Sequence, residues 1–187
     1  MNYSLPYSVN IDGKELYIRN NCDFRVVLDV IEALNDEELT EQEKIQCALY
    51  IFYDDELTKT SNYEEAVKQM FIIINGGEEE TEETEQTKKP RLMDWKHDFQ
   101  QIAPPISRVL GYDVRTPEKF CHWWTFLGGY MEIGECQFSN IVSIRSKRMK
   151  GKKLEKWEEE FYRENRKMVD LPQKLSKEEQ EFLDSDW

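Results

Sequence analysis

Apolar positions in the first twenty residues alternate as in a strand. Val9 and Ile11 stand on one side of Asp12-Gly13, and Leu16 and Ile18 on the other. An Asp-Gly pair between two alternating runs is a hairpin turn signal, so residues 3–19 are expected to form a β-hairpin. A lone two-stranded hairpin is marginally stable, and this one must pack on helices. The period then changes to that of a helix. Phe24, Val27, Leu28, Ile31 and Leu34 share a face, with Asn21 or Asp23 available as the cap. Thr40 and Glu43 have capping-box spacing ahead of Ile45, Leu49, Phe52 and Tyr53. Ser61 or Asn62 opens a third helix carrying Tyr63, Ala66, Val67, Met70, Phe71 and Ile74, which Gly76-Gly77 should stop.

Beyond residue 90 the helical period returns. Trp95, Phe99 and Ile102 share a face, Pro104-Pro105 is expected to interrupt that helix, and Gly111 to end its continuation. Thr116-Pro117-Glu118 has the cap, proline and acid of a helix start. The run that follows is apolar nearly all round: Phe120, Trp123, Trp124, Phe126, Leu127, Tyr130, Met131 and Ile133. A helix of that kind belongs in a core or under a partner, and Gly128-Gly129 would let another backbone come close. Phe138, Ile141, Val142, Ile144 and Met149 mark a further helix, and Leu154, Trp157, Phe161 and Met168 another over residues 153–169. The tail from Ser176 could add one more. The fold class is therefore mainly α. A short N-terminal β-hairpin and three helices occupy residues 1–75, a Trp-rich helical bundle occupies residues 91–170, and residues 171–187 form a tail.

Charge sharpens that division. The chain of 187 residues carries 25 Lys+Arg against 38 Asp+Glu, a net charge of -13. Residues 1–75 account for -9 and residues 76–89 for -4, whereas residues 90–187 are balanced. The segment GGEEETEETEQTKKP, residues 76–90, has no apolar side chain and reads as an acidic, flexible linker. An aromatic content of 12% argues against a wholly disordered chain. The acidic balance argues against nucleic acid as a partner. No apolar run approaches the ~20 residues that span a bilayer, so no membrane partner is expected. The N-terminus lacks the basic and apolar regions of a signal peptide, which makes an intracellular protein with reduced cysteines the expectation.

Candidate chemistry is sparse. Asp54, Asp55 and Glu56 are adjacent, and three consecutive helical carboxylates do not converge on one ion. Cys121 and His122 resemble a nucleophile and its base, but neighbours in a helix diverge by about 100°. His97, Cys121, His122 and Cys136 are zinc-type ligands whose spacing matches no compact zinc pattern. Asp94 and Asp98 sit at i,i+4, where cap and surface roles explain them more simply than a metal. Glu132 and Glu135 adjoin the aromatic run, and a buried ion pair with Arg145 or Arg148 is the simplest reading. The basic cluster Lys147, Arg148, Lys150, Lys152 and Lys153 reads as a solvated turn between helices. Phosphate-loop, dinucleotide and nucleophile-elbow motifs are missing from the sequence. No cofactor, metal or enzymatic activity is expected, and the profile favours binding over catalysis.

Three stretches carry a resemblance: DWKHDFQQIAPPISRVLGYDVR, FCHWWTFLGGYMEIGECQFSNIVSIR and KGKKLEKWEEEFYRENR. They resemble the gene-product-fifteen family of long-tailed phages and prophages of Gram-positive bacteria. SLPYSVNIDGKELYI and DFRVVLDV extend the match over most of the chain. Its most specific positions are Trp123, Trp124, Glu132, Glu135, Arg145, Lys152 and Trp157. The genes of that family lie between those for the major tail protein and the tape-measure protein, a slot that elsewhere encodes tail assembly chaperones. The resemblance therefore implies a chaperone that binds the tape-measure protein and helps recruit the tail-tube protein. It would act in the host cytoplasm and be absent from the mature virion; self-association is compatible with that role. A structural component of the tail, such as a completion or connector protein, is the alternative. Partner contacts are expected at Trp123, Trp124, Tyr130, Glu132, Glu135 and Trp157.

Overall fold

In the computed structural model, which describes residues 4–79 and 91–172, the hairpin closes where the alternation placed it. Strand β1 (Ser8–Ile11) pairs antiparallel with β2 (Lys14–Tyr17), in the register Val9 to Leu16 and Ile11 to Lys14. The turn residues Asp12 and Gly13 have φ of 51° and 79°, the two positive values a two-residue hairpin loop needs. Val9, Ile11, Leu16 and Ile18 are all buried. A short 3-10 turn, Arg19–Asn21, reverses the chain through left-handed Asn20 and Asn21.

Helix α1 (Phe24–Leu34) starts at Asp23, whose carboxylate accepts the Arg25 N–H. Helix α2 (Glu41–Tyr53) begins with the reciprocal Thr40–Glu43 capping box. A 3-10 helix, Asp54–Lys59, follows, and then α3 (Tyr63–Ile74), capped by Asn62. The three carboxylates after α2 do not converge: Asp54 pairs with Arg19, and Glu56 accepts the Tyr17 N–H and pairs with Lys59. At the end of α3, Gly77 N–H bonds Ile72 O and Gly76 N–H bonds Ile73 O, a Schellman stop at the expected glycines.

Helix α4 (Trp95–Leu110) runs through Pro104 and Pro105 instead of breaking at them. The N–H that Pro104 lacks would have bonded the carbonyl of Gln100, and both residues are exposed, so water can take that carbonyl. The expected helix start at Thr116 is a turn, with Lys119 N–H on Thr116 O at 3.1 Å. Residues 120–122 are extended, and α5 (Trp123–Met131) begins only after His122. The reason is tertiary. Phe24 N–H donates to Cys121 O and Trp123 N–H to Cys22 O, so this stretch forms a bridge beside the cap of α1. Helix α6 spans Gln137–Met149. The helix expected over 153–169 is two, α7 (Lys156–Glu164) and α8 (Arg166–Val169). Asn165 separates them, its backbone and side-chain N–H groups both bonded to Phe161 O. With eight α-helices among the described residues and one hairpin, the fold is mainly α. No helix among those residues is long and apolar enough to cross a membrane.

The chain divides into two compact units, Met1–Pro90 with Gln100–Cys136, and Arg91–Phe99 with Gln137–Trp187. This differs from a division at residues 76–90, because the aromatic helix expected in a C-terminal bundle belongs to the N-terminal unit. Phe24 of α1 stacks on Phe126 of α5 with ring centroids 4.3 Å apart. Gly129 is where α5 approaches α4: a Cβ there would lie 3.2 Å from Ile106 and 3.3 Å from Leu110. Gly128 faces open space. The second unit is built on Ile141, Ile144 and Val169, with Leu154, Phe161, Tyr162 and Met168 packed around them. Most of the acidic segment (residues 80–90) and the tail from residue 173, with the helix expected from Ser176, lie outside the described residues.

Candidate functional site

The residues expected to meet a partner differ in exposure and are divided between the two units. Trp123 is only 2% exposed, and its indole Nε1–H donates to Ile74 O at 2.9 Å. Trp124 is half-buried and donates to Ile73 O at 2.9 Å. These carbonyls belong to the last turn of α3, beyond the helix's own i+4 donors, and Ile73 O also accepts the Gly76 N–H. The two tryptophans therefore tie the end of α3 to the start of α5, and the Trp123 ring is not presented outward. Tyr130 is half-buried, while Glu132 and Glu135 are exposed. Trp157, 48% exposed, belongs to the other unit, and its Nε1–H donates to Glu155.

The same junction explains Gly77. Its φ is 96°, and a Cβ at this position would come within 3.1–3.2 Å of the Trp124 ring. Gly77→Ala is expected to cost about 1–3 kcal/mol, from a strained backbone and a displaced indole. Urea denaturation of the variant beside the parent checks this.

Cys121 and His122 are both buried, and neither is helical. Burial pushes the Cys121 thiol up, which disfavours the thiolate a nucleophile needs. Burial likewise pushes Cys22 up to about 12. His122 caps α5: its Nδ1 accepts the Trp124 N–H at 3.0 Å, which places the proton on Nε2, donated to Pro6 O at 3.0 Å. Accepting the Trp124 N–H requires a neutral ring, and burial lowers its pKa below the usual value. The unfolded chain therefore takes up a proton that the folded chain resists. The stabilisation from His122 is complete above the usual histidine pKa of about 6.5 and is lost as pH falls through the lowered folded value. Denaturation midpoints should fall as the pH is lowered below about 6.5, and His122→Asn, which can still cap, should flatten that slope.

Where α1 begins, Asp23 and Arg25 organise residues 113–121. Asp23 accepts the Cys121 N–H at 3.1 Å. Arg25 pairs with Asp23 and donates to the carbonyls of Val114 and Thr116 at 2.9 Å each and of Lys119 at 3.3 Å. This frame holds a cleft of about 340 Å³ whose lining includes Val26, Asp29, Pro117, Glu118 and Phe120. Phe120 is 50% exposed there. Elsewhere on this unit Tyr17 and Tyr50 are exposed, with Lys59 over the first ring and Arg19 over the second, each at 6.0 Å.

In the second unit the charged residues next to Glu132 and Glu135 in sequence pair elsewhere. Arg145 forms a bidentate pair with Asp98 at 2.7 and 2.8 Å, and Asp98 is fully buried. The remaining guanidinium donors bond Val169 O at 2.6 Å and Leu92 O and Met168 O at 2.9 Å. Asp98 is thus a core residue, not a surface one, while Asp94 is the cap, accepting the His97 N–H. Arg148 pairs with Asp170 and lies 3.9 Å over the Tyr162 ring. Lys147 pairs with buried Glu158 at 2.7 Å. Lys150, Lys152 and Lys153 alone remain as the solvated turn.

The pairing had a legible signal. Asp98 falls between Trp95 and Ile102 on the apolar face, and Arg145 continues the stripe of Phe138 and Ile141. One opposite charge on each of two apolar stripes is the pattern of a buried pair. No group of three or more His, Cys, Asp or Glu side chains that could hold a metal occurs among the described residues.

A mainly helical protein led by a β-hairpin, with most of its distinctive polar residues engaged in holding the chain together, is the class these features define. A family model described as Bacteriophage Gp15 protein matches residues 1–171, and the chain belongs to that family. No curated protein and no solved structure matches it.

Proposed function

We propose that the chain is a phage tail assembly chaperone that binds the tape-measure protein and helps recruit tail-tube subunits. It works in the host cytoplasm, without catalysis, and does not remain in the virion. The family match over residues 1–171 carries this reading, through the position of that family's genes beside the tape-measure gene. Physical features support it. A tape measure is a long helical chain that would aggregate alone, and a net charge of -13 helps keep a complex with it dispersed. The exposed tyrosines 17, 50 and 63 offer rigid amphipathic contacts for a helical partner. Mass spectrometry of infected cells and of purified particles tests the assignment. The chain should be abundant in the cells and missing from the particles. Several stoichiometric copies per particle would make it a structural tail component instead.

A further inference from the structure

Two surfaces, one on each unit, are complementary in charge and kind. The first is the cleft beside α1. Of the two positive residues in its lining, Arg25 is saturated by Asp23 and three carbonyls, and the Lys119 ammonium lies 5.1 Å over the Tyr112 ring. Its carboxylates Asp29 and Glu118 make no hydrogen bond or ion pair among the described residues, and Phe120 is half-exposed in the same lining. The cleft therefore offers surplus negative charge and an aromatic ring on a fixed frame. A volume of about 340 Å³ suits a few side chains.

The second surface is the turn after α6. Lys152 N–H bonds Lys147 O at 2.8 Å and Gly151 N–H bonds Arg148 O at 3.0 Å, with Gly151 at φ 62°. This Schellman geometry fixes the backbone that displays Lys150, Lys152 and Lys153. Those three lysines, and Lys156, are exposed and in no ion pair among the described residues. Met149 and Trp157, 49% and 48% exposed, flank them.

We propose that the cleft of one molecule receives the lysine turn of a second copy of this chain. Lysine ammonium groups meet Asp29 and Glu118, their stems and Trp157 cover Phe120, and both surfaces are preorganised. The contact is heterologous: it leaves a free turn on one copy and a free cleft on the other, to which further copies can add. This deepens the proposed function, because a row of copies is what would cover a long helical partner.

The test uses the full chain alone, by sedimentation equilibrium at low and high salt. The parent should grow in mass with concentration at low salt and return toward one chain at high salt. Asp29→Lys with Glu118→Lys, and separately Lys152→Glu with Lys153→Glu, should each weaken association at least about tenfold, as expected for like charges brought together. Circular dichroism verifies that these surface variants remain folded. Mixing the two variants should restore association, since a reversed cleft then meets a reversed turn. A parent that stays monomeric, reversals without effect, or a mixture that fails to associate each overturns the proposal. None of these outcomes involves the tape-measure protein, so the chaperone reading stands or falls separately.

Discussion

Arg145→Ala is expected to destabilise the second unit by about 3–5 kcal/mol, the usual cost of removing one partner from a buried ion pair. The substitution would leave Asp98, fully buried, with an uncompensated charge, and would free the carbonyls of Leu92, Met168 and Val169. One side chain ties the start of α4 and its approach to α6 and α8, all within one unit. Arg145→Lys should recover little, because an ammonium cannot reproduce the bidentate fork and the carbonyl contacts together. Asp98→Ala should cost a similar amount. Replacing both residues with apolar ones should be far milder than either single change, because no buried charge is then left unpaired. Urea denaturation of the four variants, followed by far-UV circular dichroism, gives the comparison. A loss below about 1 kcal/mol for Arg145→Ala, the scale of an exposed pair, would mean that the pair is solvated in solution.

Trp123→Ala should be the most damaging change in the first unit, at about 3–5 kcal/mol for a buried tryptophan. Its ring stacks against Phe126 with centroids 5.9 Å apart, and its Nε1–H holds a carbonyl at the end of α3. Trp123→Phe separates the two contributions. It keeps most of the apolar burial but leaves Ile74 O without its donor, a loss of about 1–3 kcal/mol. If Trp123→Ala instead left stability unchanged and abolished partner binding, the residue would be a contact site and not a core residue.

The N-terminal unit was the more legible in sequence. The Asp12-Gly13 turn, the Thr40–Glu43 box, the Asn62 cap and the Gly76-Gly77 stop are local chemistry, and each is found where the sequence placed it. The misreading of residues 116–122 has its cause in contacts distant along the chain. Thr116-Pro117-Glu118 has every local mark of a helix start, yet Arg25 and Asp23, some ninety residues earlier, hold residues 114–121 in turns and an extended bridge. Cys121 and His122 consequently lie before the helix and not within it. A sequence likewise does not reveal that Trp123 is buried and that the indoles of Trp123 and Trp124 bond carbonyls of α3. The acidic run suggested a boundary near residue 90. Charge reports solvation, whereas the units are defined by packing, and packing assigns the aromatic helix to the front of the chain.

The proposed role turns on one interaction, and co-expression measures it. The tape-measure protein encoded beside this chain should be recovered in the soluble fraction when the two are expressed together, and should aggregate when expressed alone. A tape-measure protein equally insoluble with and without this chain would contradict the chaperone assignment.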